Sequence, residues 1–328
     1  MDQLLSCLKA VAESTRLRLL SLCAEGDMTV SNLTQILGQS QPRVSRHLKL
    51  LCDAGLLDRF REGSWVFYRL ADDTSVSGSV ARHLVSLIPQ NDFQRSLDRA
   101  RLMEIKQARA AVADAYFKAN AAQWDRIRSF HVEESHVEKA LLDAFPPHVE
   151  DLLDIGTGTG RMLQLFADRV VRGVGIDSSR DMLSIARAKL EADGNRHCHV
   201  RHGDMYRLPM ADSSYDAVVV HQVLHYADQP EALIAEISRI LRPGGVLLIA
   251  DFAPHSVDAL RVEHAHLRLG FSDSEIFDWC ARAGLEQKSV RDLPGDPLTV
   301  KIWSAARQQD LGQAGLNPQE RTAMEVVD

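Results

Sequence analysis

Three glycines at alternate positions, Gly156, Gly158 and Gly160, follow the apolar run 151–155 and precede a helical pattern. Glycine lets a backbone approach a ligand with no side chain in the way. Asp154 opens the loop and Asp177 closes the next apolar run. An acid in that second place can accept ribose hydroxyls. Gly203-Asp204-Met205 closes the third run, where Asp204 can accept an exocyclic adenine amine. The implied chemistry is recognition of a nucleoside. A nicotinamide dinucleotide is the competing ligand, but it favours G-x-G-x-x-G and brings a pyrophosphate to the helix N-terminus. A carboxylate at Asp154 is awkward beside pyrophosphate and suits the ammonium and sulfonium of S-adenosylmethionine. His221, His225 and Tyr226 follow the fourth run, at the carboxyl edge where such sheets bind ligands. They are candidate bases, with a packing or surface role as the competing reading for each.

A second constellation lies near the N-terminus. Ser40, Gln41, Arg43, Ser45, Arg46, His47 and Lys49 surround a helical stretch whose other face is Val44, Leu48 and Leu51. Short polar side chains and cations on one face, with core residues on the other, are what a helix in a DNA major groove needs. Arg59 and Arg61 stand before a Gly63 turn, placed for a phosphate backbone or minor groove.

These residues need two different frames. In 1–75, helical spacing covers Leu4–Ala12, Leu17–Cys23, Val30–Leu37 and Arg43–Asp53. Leu56–Arg61 and Trp65–Leu70 read as a hairpin. Residues 76–147 read as a helical connector, broken at Pro89–Asp92, with one long or two shorter helices over Phe93–Phe130. From 148 to 307, apolar runs alternate with helical patterns, which predicts a parallel sheet with crossover helices. Its strands are expected at 151–155, 171–176, 198–202, 217–221, 246–251, 286–292 and 299–305. Residues 308–328 read as a polar, frayed tail. The expected fold class is α/β: a winged helix-turn-helix followed by a Rossmann-like seven-stranded domain.

The 328 residues bear 38 Lys+Arg against 45 Asp+Glu, a net charge of −7. Such a balance excludes binding nucleic acid by bulk charge alone. The acidity is uneven, however. Residues 1–75 hold nine charges of each sign, so the excess belongs to 76–328. Five scattered cysteines form no C-x-x-C pair, which supports neither a disulfide framework nor a zinc finger. His197-Cys198-His199 has ligand-type residues, but strand alternation turns Cys198 away from its neighbours. No metal is expected. No apolar run reaches the length of about 18 residues that would span a membrane. The start lacks a secretory pattern, so the expected location is cytoplasmic.

Two resemblances carry these readings further. TRLRLL, QPRVSRHLKLL, the AGLL step and REG…YRL, over about residues 4–72, closely resemble the winged helix-turn-helix of the ArsR/SmtB bacterial regulators. The resemblance implies double-stranded DNA with an inverted-repeat operator as partner. It also implies a homodimer built on Leu4–Ala12 and Val80–Ile88. The metal-sensing cysteine pair of many members is absent, since that place reads DMTVSNL, and only His83 remains of the alternative site. Residues 148–255 resemble class I S-adenosylmethionine-dependent methyltransferases, nearest the ubiquinone/menaquinone-biosynthesis branch. That implies S-adenosylmethionine as cofactor. Asp154, Gly156, Gly158 and Gly160 would line its methionine part. Asp177, Ser178 and Met182 would surround ribose and adenine, Asp204 and Met205 would hold the adenine edge, and His221 would start the loop beside the methyl group. Tyr116, Trp124 and Arg128 fall where such enzymes often place a covering helix, with plain helix packing as the equal alternative.

Together these features predict an ArsR-type regulator with a cofactor-responsive methyltransferase domain and an unknown small-molecule acceptor. The alternative is a small-molecule methyltransferase whose winged helix only dimerises or docks a partner. A nucleic-acid methyltransferase is weaker, because HQVLHYADQP stands where the amino-methyltransferases of DNA carry a Pro-Pro motif.

Overall fold

The computed structural model describes residues 1–62, 64–71, 75–124 and 133–309. Contacts divide the chain into two units. The first comprises Met1–Asn120 with two later segments, His225–Gln229 and Ala253–Gly270; the second holds the remainder.

In the first unit, α1 (Asp2–Val11) and α2 (Ser14–Cys23) lead to the two-residue β1 (Met28–Thr29), α3 (Val30–Leu37) and α4 (Gln41–Asp53). The hairpin β2 (Leu57–Glu62) and β3 (Trp65–Leu70) follows, then α5 (Val76–Leu87) and the long α6 (Phe93–Asn120). Polar residues set the helix starts. Glu13 caps α2 by accepting the Arg16 N–H at 3.0 Å, and Thr29 with Asn32 forms a capping box on α3. Pro42 occupies the first turn of α4, where its missing N–H costs nothing, and Ser40 stands at the N-cap. Val44, Leu48 and Leu51 are fully buried against Leu19, Leu20, Leu33 and Ile36, which holds the opposite face of α4 outward. The sheet order is β1-β3-β2, with Leu57 opposite Leu70 and Glu62 opposite Trp65. Arg18 on α2 clasps Asp98 on α6 through two bonds of 2.6 and 2.7 Å. Of the one long or two shorter helices expected over Phe93–Phe130, α6 ends at Asn120 and a short 3-10 turn (Ala121–Gln123) follows; 125–130 lie outside the described residues.

The second unit starts with α7 (Glu134–Ala144) and β4 (Val149–Ile155), then α8 (Arg161–Phe166), β5 (Val170–Asp177), α9 (Arg180–Ala192), β6 (Cys198–His202) and β7 (Tyr215–His221). After α10 (Pro230–Ile240) and β8 (Leu241–Phe252), the short α11 (Ala259–Glu263) belongs to the first unit; α12 (Asp273–Arg282), β9 (Leu285–Leu293) and β10 (Val300–Arg307) complete the second. The seven strands lie in the order β6-β5-β4-β7-β8-β10-β9. All seven expected strands are present, but the sheet is not parallel throughout. β10 inserts between β8 and β9 and runs antiparallel to both. The connection from β9 to β10, residues 294–299, is too short for the crossover a parallel pair requires.

The sheet grows outward from β4 in both directions, toward β5 and β6 and toward β7 and β8. The reversal between β4 and β7 is the topological switch point, where such sheets open a crevice at the strands' carboxyl ends. At the other end of the strands, Asp151 bonds Arg172 at 2.7 and 2.9 Å and Arg242 at 2.8 Å, while Asp216 pairs with Arg242 at 2.7 Å. Although burial would raise it, the Asp151 pKa is held below the usual carboxylate range by hydrogen bonds from Arg172 and Arg242. The acidic cluster of Glu150, Asp151 and Asp216 is thus occupied by guanidinium groups. Among the described residues, no helix is long and apolar enough to cross a membrane.

Candidate cofactor site and DNA-facing surface

β4 delivers the glycine loop to the switch point. The N–H groups of Gly156 and Thr157 both donate to the carbonyl of Ile176, at 2.8 and 3.0 Å, and fold the loop against β5. Gly156 has φ +67°, and a Cβ there would sit 2.3 Å from a methyl of Val223. Gly158 has φ +53°, and a Cβ there would meet the Trp124 indole nitrogen at 3.4 Å. At Gly156 a left-handed backbone coincides with a contact no Cβ could make; at Gly158 the left-handed backbone alone favours glycine, the Trp124 contact being an ordinary one. Gly160 precedes α8 as its N-cap.

Asp177 ends β5 and locks the loop. One carboxylate oxygen accepts the Gly158 N–H at 2.8 Å and the other accepts the Ser179 N–H at 2.8 Å. Ser179, in turn, caps α9 by accepting the Met182 N–H, and Met182 is buried. Ser178, expected beside the ribose and adenine, is exposed, and Ser179 next to it caps α9. Asp204 is exposed and accepts the Tyr206 N–H at 2.9 Å, with Met205 half-buried beside it in the chain. Asp154 is 1% exposed, and His221 is buried at the end of β7.

Gln222 was missed by sequence reasoning. It is buried, has φ +52°, and its N–H donates to the carbonyl of Ala250 at 2.7 Å. A left-handed glutamine directly after His221 aims the chain so that Val223 packs on Gly156. Nothing in residue type announces this conformation, because glutamine seldom adopts it.

His221 belongs to the second unit, whereas His225 and Tyr226 belong to the first. There His225, 2% exposed, stacks on His266 at 4.0 Å, and Tyr226 meets Phe117 edge-on at 4.8 Å. Tyr116 joins this cluster through its hydroxyl, 2.6 Å from His264 Nδ1, and burial pushes the Tyr116 pKa up. Of the covering residues expected, Trp124 lies at the glycine loop; Arg128 lies outside the described residues.

On the first unit, Ser40, Gln41, Arg43, Arg46 and Lys49 are exposed along α4, while Ser45 and His47 are half-buried. His47 Nδ1 lies 3.7 Å from the Glu13 carboxylate. Glu13 itself is held at a pKa of about 2: burial would raise it, but hydrogen bonds from Thr15 and Arg16 and the nearby His47 outweigh that. Arg59 and Arg61 are exposed on β2; Gly63 lies outside the described residues. Burial pushes the Cys23 thiol up strongly and that of Cys52 up to about 11, so both stay protonated. Glu62, which sequence reasoning treated only as part of a turn, pairs with Arg261 and, at 3.0 Å, with Arg268. The Ser64 N–H donates to the Asp258 carboxylate at 3.1 Å. These partners stand about two hundred residues away in the chain, a separation no local pattern can bridge.

Comparison with known proteins identifies two segments. Residues 13–59 match the family described as bacterial regulatory protein, arsR family, and residues 153–249 match a methyltransferase domain family. An uncharacterized 37.1 kDa protein in transposon TN4556 of Streptomyces fradiae is 31% identical over 56% of this chain and 54% of its own length. Malonyl-[acyl-carrier protein] O-methyltransferase of Serratia marcescens is 31% identical over 46% of this chain and 56% of its own. Demethylmenaquinone methyltransferase of Tropheryma whipplei (strain Twist) is 30% identical over 46% and 59%. The chain thus spans less than two thirds of the length of each of these curated relatives. Among solved structures, a putative methyltransferase crystallised with the Haloferax volcanii Trm112 activator has a TM-score of 0.51 at 24% identity, covering 59% of this chain and 98% of that one. That likeness concerns the fold.

Proposed function

We propose that this chain, which joins an arsR-family regulatory domain to a methyltransferase domain, is a DNA-binding transcriptional regulator whose affinity for its operator responds to S-adenosylmethionine or S-adenosylhomocysteine. One observation carries the reading: both ligand-facing surfaces are intact in the same polypeptide. α4 presents Arg43, Arg46 and Lys49 to solvent, and the loop 156–160 is a glycine-built turn fastened by Asp177. A winged helix kept only for dimerisation has no use for exposed cations along its recognition face.

The residues at the switch point fit S-adenosylmethionine. Gly156, Gly158 and Gly160 would border its methionine part with Asp154 beneath, Asp177 would take the ribose hydroxyls, and Met182, Asp204 and Met205 would border the adenine. When bound, the cofactor supplies an electrophilic methyl group on sulfonium. Transfer from it is an in-line displacement that needs alignment and exclusion of water more than acid–base help. Trp124 and Val223, packed on the glycine loop, serve that exclusion. His221 borders the place where the acceptor would stand. The exposed Leu4, Leu5 and Leu8 on α1 support a homodimer, hence recognition of an inverted repeat.

The test is binding to the promoter of the protein's own operon, alone and with each ligand. A ligand shifts DNA affinity only if it binds the free and DNA-bound states differently. A shift with either ligand is expected. Promoter binding unchanged by both ligands removes the sensing function, and no promoter binding under any condition removes the regulator.

A further inference from the structure

The hairpin β2–β3 is covered on one face by a segment from far along the chain. Phe60 and Glu62 of β2 share that face with Trp65 and Phe67 of β3, since Phe60 stands opposite Phe67 and Glu62 opposite Trp65. The segment Ala253–Gly270 lies on it within the first unit. The Arg261 guanidinium is 4.9 Å from the Trp65 ring centre and 5.4 Å from that of Phe67, and that of Arg268 is 5.7 Å from the Phe60 ring centre. Both guanidinium groups pair with the Glu62 carboxylate. The side chains of Arg261, Arg268 and Glu62 are 5%, 7% and 10% exposed. Charges that deep are kept only when paired, so Glu62 seats the segment on the wing. Arg261 also donates to the Leu267 carbonyl and Arg268 reaches Asp27 at 3.2 Å, which braces both.

Asp258 stands on this seated segment and meets the end of the hairpin. It is the N-cap residue of α11, a place where aspartate ordinarily accepts an N–H of its own helix. Its side chain makes no such bond. Both carboxylate oxygens instead accept the Ser64 N–H, at 3.1 and 3.3 Å. Ser64 lies in the connection between β2 and β3, on the hairpin that carries the exposed Arg59 and Arg61. Backbone N–H groups are among the donors that proteins use to hold DNA phosphates. To such a donor a carboxylate offers what a phosphate offers: paired acceptor oxygens with negative charge.

We infer, on the regulator reading above, that Asp258 is an internal stand-in for a DNA phosphate that masks the tip of the wing until operator DNA displaces it. Glu62 with Arg261 and Arg268 supplies the seat, and Asp258 supplies the mask. Displacement exchanges an N–H···carboxylate bond for an N–H···phosphate bond, so the Ser64 N–H is satisfied in both states. The cost of displacement is repulsion between Asp258 and the arriving phosphates, which salt screens. The mask therefore lowers operator affinity without abolishing it, and its effect is largest at low salt.

The test compares full-length wild type, Asp258→Ala and Glu263→Ala for binding to a duplex of the promoter of the protein's own operon. Glu263 is an exposed acid later on the same segment, so its removal controls for lost negative charge alone. Asp258→Ala should raise operator affinity about fivefold or more at low salt, with a gain that shrinks as salt rises, while Glu263→Ala stays within about twofold of wild type. Unchanged or lowered affinity in Asp258→Ala overturns the mask, and so does an equal rise in Glu263→Ala. Hydrogen–deuterium exchange without DNA reads the contact itself. Amides of residues 57–70 should exchange faster in Asp258→Ala than in wild type, with those of α2 and α4 unchanged. Equal exchange in the hairpin, or faster exchange throughout the unit, overturns the mask. Operator bound equally by wild type and Asp258→Ala sinks the mask alone. Operator bound by neither, with the hairpin exchanging faster in the variant, sinks the regulator reading and the mask with it.

Discussion

At the residue scale, the strongest constraints sit at Asp177 and Gly156. Asp177 holds the backbone of both Gly158 and Ser179. Asp177→Ala should lower affinity for S-adenosylhomocysteine by at least about tenfold, since hydrogen bonds to a charged group contribute about 1.5–3 kcal/mol each. Calorimetric titration measures this, and unchanged affinity would misplace the ribose. Gly156→Ala forces a methyl to within 2.3 Å of Val223 in a left-handed backbone, so cofactor affinity and the melting temperature should fall together. Asp177 and the three glycines were legible as types at fixed spacing. Gln222 and Ser179 were not, because a left-handed glutamine and the choice between adjacent serines depend on how the strand ends meet.

At the scale of elements, α4 and its supports can be separated by mutation. Arg46→Ala should weaken operator binding, reduce its salt slope by about one, and leave cofactor affinity unchanged, as read by fluorescence anisotropy over a salt series. Glu13 links the start of α2 to α4 through His47. Its pKa is about 2 in the folded protein against an ordinary 4.5, so folding is favoured by the ionised form. That contribution is complete above pH 4.5 and is lost as pH falls through about 2. Glu13→Gln should therefore cost stability at neutral pH, about 1 kcal/mol as for a lost N-cap, and the difference from wild type should vanish in acid. Acid titrations followed by circular dichroism check this. Helix positions were readable from apolar spacing and caps. The direction of β10 was not: it is set by a short connection that pattern reading took for one more crossover.

At the scale of the whole molecule, the prediction is linkage. If S-adenosylhomocysteine changes operator affinity by some factor, operator DNA must change S-adenosylhomocysteine affinity by the same factor. Two titrations on one preparation measure both, and unequal factors would mean that the ligands do not act on one equilibrium. Assembly is a separate test. Leu5→Glu with Leu8→Glu on the exposed face of α1 should convert a dimer to a monomer in sedimentation, weaken binding to an inverted repeat, and leave cofactor affinity intact.

The amino-acid sequence by itself determined what is local. Apolar period, cap residues and the glycine–aspartate spacing placed α4, the seven strands and the glycine loop, because each depends on neighbours within about one turn or one strand. Tertiary structure alone decided which distant side chains became partners. Glu62 meets Arg261 and Arg268, His225 stacks on His266, and the Ser64 N–H meets Asp258. The sequence displays these residues as an ordinary turn and two loops. They acquire a role only because Ala253–Gly270, the chain after a sheet strand of the second unit, packs within the unit that carries the wing. Pairings of that kind are fixed by the packing of the whole first unit, and no spacing along the chain encodes them.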